Sequence, residues 1–524
     1  RDSMLHVVAL SGNVLATWDH DGLHKLTSEG QNVVEAIKQQ LQPVIGTSPF
    51  QQRLYHKGEE VMSLSLTAPS EMLEELQVLA LPLRHDAAAD LRLQAAAGDL
   101  TKLRDLLREP QAPDPEGSCQ NNTPLQLAAR HGHLEAVQML LVAGADKDRR
   151  GLAETTPLLE AVNHQHFEVA QHLVRLRADV GKAGLGGTTP LLVAVEHGDL
   201  RTAQLLVNAG ADKEQPDASG LTPLHAACGR LEMVQFLLAL GADGNVQDTN
   251  GKTPLRIAAG IGHLEVVRCL LAFGANKDKP DALLVTPLWA AARNGRLQVV
   301  GCLLEAGADK DRADIDGETP LRAAAEHGHS QVVQRLLDGR ADPDKYDIDG
   351  KTPLLSAAKF GGLTVVQALL HARATVNQTD LEGLSPLAAA AEHGYSDVVR
   401  SLLDWRADMD QQRMDGATPA KLAAAKGELD VLQLLCDRGA NMEKADDEGA
   451  TPLWAGCLRG QLRVVQYLLD QSVDVSIQGA GGTNCLQIAA QRCHSEVVAA
   501  LRSVTASNTC KRQKRGEPKL ELQR

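Results

Sequence analysis

Residues 314 to 345 read D-I-D-G-E-T-P-L-R-A-A-A-E-H-G-H-S-Q-V-V-Q-R-L-L-D-G-R-A-D-P-D-K, and this stretch decides the fold. Asp316-Gly317 reads as a turn, because Gly takes positive φ without steric cost. Thr319-Pro320 reads as a helix start: Pro at the first helical position gives up only an N–H that would be unpaired there. Leu321, Ala324 and Ala325 then share one face, and the small Ala side chains let a second helix come close. Gly328 is expected to end the first helix in a left-handed cap. Ser330 is expected to cap a second helix with Val332, Val333, Leu336 and Leu337 as its buried stripe. Gly339 stands where that helix should end. Neither helix is long enough to hold alone in water.

The anchoring Leu321 belongs to a series. Leu recurs at 125, 158, 191, 224, 255, 288, 321, 354, 387, 453 and 486, with Ala420 filling one place, and every step is 33 residues except the 31 from Leu224 to Leu255. A fixed period of this size means one helix–turn–helix unit stacked many times, so the function question tilts toward a binding surface. Bulk composition agrees. Apolar residues make up 43% of 524 but aromatics only 2%, so the core must be Leu, Val and Ala. A net charge of −14 argues against nucleic acid as the main partner. The nine Cys are scattered without a C-x-x-C pair, which fits a reducing compartment and neither a disulfide framework nor a zinc site. No apolar run reaches the roughly 18 residues of a membrane span, and the stretch from Met4 to Ala16, broken by His6, alternates like a strand pair rather than a signal core. The chain opens on Arg1, so Met4 is a candidate natural start.

The repeated pattern resembles the ankyrin repeat family. The residues that carry the resemblance include Thr222-Pro223-Leu224-His225, Gly262-His263-Leu264-Glu265-Val266-Val267 and Gly307-Ala308-Asp309. Twelve such repeats run from about Asn121, and a degenerate thirteenth precedes them over residues 88–113, marked by Leu91, Ala95, Ala96 and Leu106-Leu107. Departures from the pattern carry expectations of their own. The His of T-P-L-H survives only at His225; elsewhere the place holds Gln, Leu, Arg, Trp, Ala or Lys, so the bond that the family makes from this His back to Thr is expected to be mostly lost. Gln165 stands at a Gly cap, where a distorted turn is expected. The two-residue deletion after Cys228 is expected to shorten one first helix. Cys485 and Cys493 replace Pro and Gly in the last repeat, as at a frayed end.

Periodicity changes before residue 84. Residues 5–10 and 14–18 read as strands, 33–41 as a helix, 54–56 as a strand before the turn Lys57-Gly58, and 76–81 as a last strand. The segment from Gln51 to Val61 resembles the third strand and following turn of ubiquitin. The fold expected is therefore mainly α, an ankyrin-repeat solenoid of 12–13 helix–turn–helix units over 84–505, preceded by a small α+β ubiquitin-like (β-grasp) domain over 1–83 and followed by a basic tail over 506–524. The resemblance implies docking through Tyr55 and Leu79; the alternative is that Tyr55 packs a sheet edge. No Gly-Gly end follows Leu81, so conjugation through a free terminus is not expected.

The chain offers little that points to catalysis. Gly251-Lys252-Thr253 and Gly350-Lys351-Thr352 lack the earlier Gly of a phosphate-binding loop, and Pro follows each Thr. The 18 His recur mostly once per repeat, in rows, as scaffold features rather than metal ligands. No cofactor, metal or catalytic set is expected. Binding positions are different, because in this family partners lie along hairpin tips and the first-helix face. The candidates are Ile315, Asp316, Ile348 and Asp349 at tips, with Leu381-Glu382, Met414-Asp415 and Asp447-Glu448 in the same place. On first helices they are Arg293, Asn294, Glu326, Lys359, Phe360 and Glu392. Trp289 and Trp454 follow an anchoring Leu and are read either as exposed hot-spot aromatics or as packing variants. With layers about 8–10 Å apart, thirteen repeats give an arc on the order of 100–130 Å, suited to a protein partner of mixed charge.

The function expected is a monomeric, cytoplasmic, non-enzymatic scaffold with protein partners, linked through its head to ubiquitin-pathway receptors. Competing readings are a regulatory subunit of a separate enzyme and a fragment of a larger enzyme or signalling protein. Lys511-Arg512-Gln513-Lys514-Arg515 reads as a solubilising tail or a nuclear-import address.

Overall fold

The computed structural model describes residues 5–8, 14–18, 53–56, 59–60, 76–79, 87–108 and 122–503. The helix expected over 33–41, the turn at Lys57-Gly58 and the tail beyond 504 lie outside the described residues. The chain divides into two compact units, one of residues 1–194 and 201–211, the other of 195–200 and 212–524.

Five strands open the first unit: β1 (Leu5–Val8), β2 (Val14–Trp18), β3 (Arg53–His56), β4 (Glu59–Glu60) and β5 (Leu76–Leu79). They form a sheet of order β2-β1-β5-β3-β4. β1 pairs antiparallel with β2 and parallel with β5, while β3 pairs antiparallel with both β5 and β4. Arg53 is registered with Leu79 and Tyr55 with Gln77.

All else described is helix pairs and hairpins. The degenerate first repeat is present as helices Ala87–Ala97 and Leu100–Arg108. In the repeat read above, the first helix is Pro320–Glu326 and the second Ser330–Asp338. The buried Thr319 side chain accepts the Arg322 N–H at 3.2 Å and Pro320 holds the first helical position, as the T-P pair requires. The same cap recurs at Thr286, Thr352, Ser385, Thr418 and Thr451. Val332, Val333 and Leu336 are buried as expected.

Several local expectations need correction. Ser330 lies inside the second helix; the N-cap is His329 and makes no side-chain cap bond. Gly339 caps the second helix at the expected place, and the left-handed residue that follows is Arg340 at φ 60°. Gln165 does not distort its turn. It takes φ 61°, and the His166 N–H still reaches the Ala161 carbonyl at 2.8 Å, so the turn bonds outweigh a strain of about 1 kcal/mol. Cys493 does the same at φ 61° in the last repeat, where Asn484 and Gln487 build a complete capping box, so that repeat is not frayed there. The deletion after Cys228 has the expected effect: the first helix is only Pro223–Ala226, closed by a 3₁₀ turn over Ala227–Gly229.

Neighbouring repeats are joined by polar ties as well as apolar packing. In several repeats a His after the cap donates Nε2–H to a carbonyl in the preceding repeat's first helix: His329 to Arg293 at 2.9 Å and His133 to Ala96 at 3.0 Å. The ring then lies against the cap of the preceding repeat, which is held to Gly. At Gly295 φ is 69°, and a Cβ would sit 2.7 Å from the His329 ring. A second tie runs between loops, where Asp311 accepts the Asp342 N–H at 2.9 Å and Asp410 the Asn441 N–H at 2.9 Å.

The third tie uses the place of the family His. His225 Nδ1 lies 2.9 Å from the Thr222 hydroxyl, and its Nε2 donates to the Lys252 carbonyl in the next hairpin at 3.0 Å. The bond back to the cap is mostly lost elsewhere, as expected, and is kept by Gln126 and Gln487, while other residues still make the forward reach. Gln126 accepts from the Thr123 N–H at 2.7 Å and donates to the Thr155 carbonyl. Arg256 pairs with Asp281 at 3.1 Å, and Lys421 pairs with Asp446. Trp454 donates its indole N–H to the Thr483 carbonyl at 3.0 Å.

Burial holds the His225 imidazole below its usual pKa, only partly offset by the acceptor Lys252 carbonyl. The unfolded chain therefore protonates this ring first. Its contribution to stability is whole above pH ~6.5 and is lost as pH falls through that value toward the depressed folded one. His225→Gln, which can keep both bonds as Gln126 does, is expected to lose less stability than the parent between pH 7 and 5. Urea midpoints measured across that range check it.

Candidate functional site

The hairpins of the second unit are built alike. Asp314, Asp347 and Asp380 each use Oδ1 to accept two N–H groups, from the residues two and four positions on, at 2.8–3.1 Å. This local bonding is the Asx turn that short acidic side chains favour. Successive tips are then stitched by backbone bonds: Ile315 N–H to the Leu283 carbonyl at 2.9 Å, Ile348 to Asp316 at 3.0 Å, Leu381 to Asp349 at 2.8 Å and Met414 to Glu382 at 2.9 Å.

In four successive repeats the stitching places an apolar side chain at the same point of the tip with an acid beside it, whereas the next tip carries Asp447-Glu448. Ile315 is 56% exposed, Ile348 65%, Leu381 64% and Met414 75%. Large apolar residues scattered singly are ordinary on a surface; a row in register is not. The neighbouring acids are Asp316, Asp349, Glu382 and Asp415, all exposed. Lys351 bonds Asp349 at 2.7 Å and pulls its pKa down, and Arg413 holds Asp415 at about 2.

The first-helix candidates divide. Arg293 and Phe360 are exposed, and Phe360 is an aromatic 53% open to solvent. Asn294 is exposed, but its amide donates to the Gly260 carbonyl at 3.0 Å. Glu326 is held by Arg322 at 3.0 Å and Glu392 by Lys426 at 3.3 Å, so both carboxylates serve the scaffold. Lys359 is half-buried. The hot-spot reading of the two Trp is corrected: Trp289 is 4% and Trp454 6% exposed. Each lies inward because its indole fills the family His place against the next hairpin. Trp289 instead backs Arg293, whose guanidinium lies 5.3 Å from the ring centroid.

A charge cluster that no local pattern announces lies beneath these residues. Arg322 is buried, with Glu318 at 3.2 Å, Glu326 at 3.0 Å, Asp347 at 3.1 Å and the Ser356 hydroxyl at 3.0 Å. Desolvation raises the Glu318 pKa against the pull of Arg322. Four acids or hydroxyls from two repeats converge on one guanidinium, and only stacking brings them together.

A family model described as "Ankyrin repeats (3 copies)" matches residues 91–184, 158–248, 231–314, 302–380, 374–446 and 422–512. These matches run together over most of the chain. The chain belongs to the ankyrin repeat family. No curated protein matches it. Membership implies protein partners. Among the described residues no group of three or more His, Cys, Asp or Glu is placed to hold a metal, and no helix is long and apolar enough to cross a membrane. The described cysteines are free thiols.

Arg322→Ala would leave Asp347 and Glu318 buried without their cation. Removing one partner of a buried pair costs about 3–5 kcal/mol. The expected outcome is an early loss of the second unit in urea, read by circular dichroism on the full chain, with Arg322→Lys closer to the parent.

Proposed function

We propose that this ankyrin repeat protein is a non-catalytic scaffold that holds partner proteins on the tip row of its second unit. The observation that carries the reading is the line of Ile315, Ile348, Leu381 and Met414, exposed and in register, with Phe360 and Arg293 on the adjoining helix ends. These side chains have little part in the core, and exposed aromatic and Arg side chains are enriched in binding hot spots. The acids beside the row favour a partner segment that carries basic residues between apolar ones.

The first eighty residues are read as a ubiquitin-like head that links the captured protein to ubiquitin-pathway receptors. Supporting this are the strand order β2-β1-β5-β3-β4, its parallel central pair β1–β5 and the likeness of residues 51–61 to ubiquitin. Tyr55 and Leu79 stand at alternate positions of the paired strands β3 and β5.

Replacing Ile348 and Leu381 by Ser is expected to leave the thermal unfolding of the full chain nearly unchanged, because both are exposed. The same change is expected to release partners that the parent retains in quantitative affinity capture. Capture of the same partners in the same amounts would remove the tip row from the reading. Retention of proteasomal receptors by the parent, and their loss with Tyr55→Ala and Leu79→Ala, tests the head separately.

A further inference from the structure

Arg322 supplies the template for a second site in the first unit. Its guanidinium lies among Glu318, Glu326, Asp347 and Ser356. Five repeats earlier, the corresponding places hold Leu159 for the Arg, and Thr155, Asn163, Gly184 and Val193 for its four partners. All five line one open cavity of about 180 Å³, together with Ala153, Glu160, Leu185 and Thr188. The space that an internal cation fills in the second unit is unfilled here.

The cavity is not simply apolar. Glu160 corresponds to Ala323, and in the other repeats this place is apolar or Ser356. Its side chain is only 8% exposed. The Thr155 hydroxyl donates to Oε1 at 2.8 Å, and Oε2 lies 3.6 Å from His164 Nε2. Burial depresses the His164 pKa, so at neutral pH the ring gives this carboxylate no countercharge. A buried carboxylate without a cation is costly, which favours any ligand that brings one. The rim adds strain: Ala153 and Glu154 both hold φ 57°, a left-handed conformation that non-Gly residues rarely keep outside functional or over-determined sites. Gly184 lines the same cavity, and a Cβ there would come within 2.7 Å of Leu159 Cδ2.

We propose that this cavity receives one basic side chain, the guanidinium or ammonium of a partner's Arg or Lys, with Glu160 as its counterion. The aliphatic stem would lie along Leu159, Leu185 and Val193, as long basic side chains do over apolar surface. The volume is below the ~300–1,000 Å³ of drug-sized pockets, which fits a single side chain and not a larger ligand. The inference rests on the protein-binding reading only for the source of that side chain; the site itself is independent of the tip row.

The test uses the full chain labelled at Leu and Val methyls, titrated by NMR with Nα-acetyl-L-arginine methylamide, its lysine analogue and its uncharged norleucine analogue. Saturable shifts of Leu159, Leu185 and Val193 with the arginine or lysine probe, and none with norleucine, are the expected result. Glu160→Gln keeps an acceptor for Thr155 and is expected to weaken the basic probes at least tenfold. Equal shifts from norleucine, no saturation with either basic probe, or unchanged binding to a folded Glu160→Gln chain would overturn the proposal. The comparison of charged and uncharged probes needs no variant. Because no partner protein takes part, a failed tip row and a failed cavity give different results.

Discussion

Everything in this chain depends on the join between one repeat and the next. A first helix such as Pro320–Glu326 is two turns long and could not persist alone in water. It exists because its Leu and Ala face is covered on both sides and its ends are tied outward. In several repeats the residue after the anchoring Leu or Ala makes the tie: His225, Gln126, Arg256, Lys421 and Trp454 reach into the following hairpin by different chemistry, while Leu159, Leu192, Leu355 and Ala388 carry no polar group to do so. The requirement is a group long enough to satisfy a polar atom in the next repeat. Several side chains meet it, and apolar residues such as Leu159 and Leu355 leave the join to packing, so the family His can be lost from most repeats.

The same joins explain which side chains are left for partners. Main-chain bonds align the tips, so the tip side chains have no structural duty and can be apolar and exposed. At the ends of the first helices the duty is heavier. Glu326, Glu392 and Asn294 are spent on internal pairs, leaving Arg293 and Phe360 as the open positions. A binding surface and a scaffold thus share one helix without competing for the same atoms.

Substitution within a repeat array also creates sites by subtraction. Arg322 and its partners fill their layer; with Leu159 and Gly184 in the equivalent places, the layer opens, and Glu160 restores a charge at a new point. The period makes this visible, because each repeat is a control for the others.

Much of the fold was legible in the chain itself. The 33-residue spacing, the T-P helix starts and the short helix before Cys228 follow from local rules about turns, caps and periodicity, and local rules need only neighbouring residues. The tip candidates Ile315 and Ile348 could be read for the same reason, since a hairpin tip is exposed wherever the hairpin packs. Glu160 carried a signal too, as the one acid at its repeat position. Burial across repeats was not legible. Whether Trp289 faced solvent or the next hairpin, and whether Arg322 was a surface charge or the centre of a buried cluster, depended on residues about 25 to 34 positions away. Sequence alone determined the unit and its period; stacking decided which polar groups were paired and which were left for a partner, because a side chain's environment is set by the layer it meets and not by its own repeat.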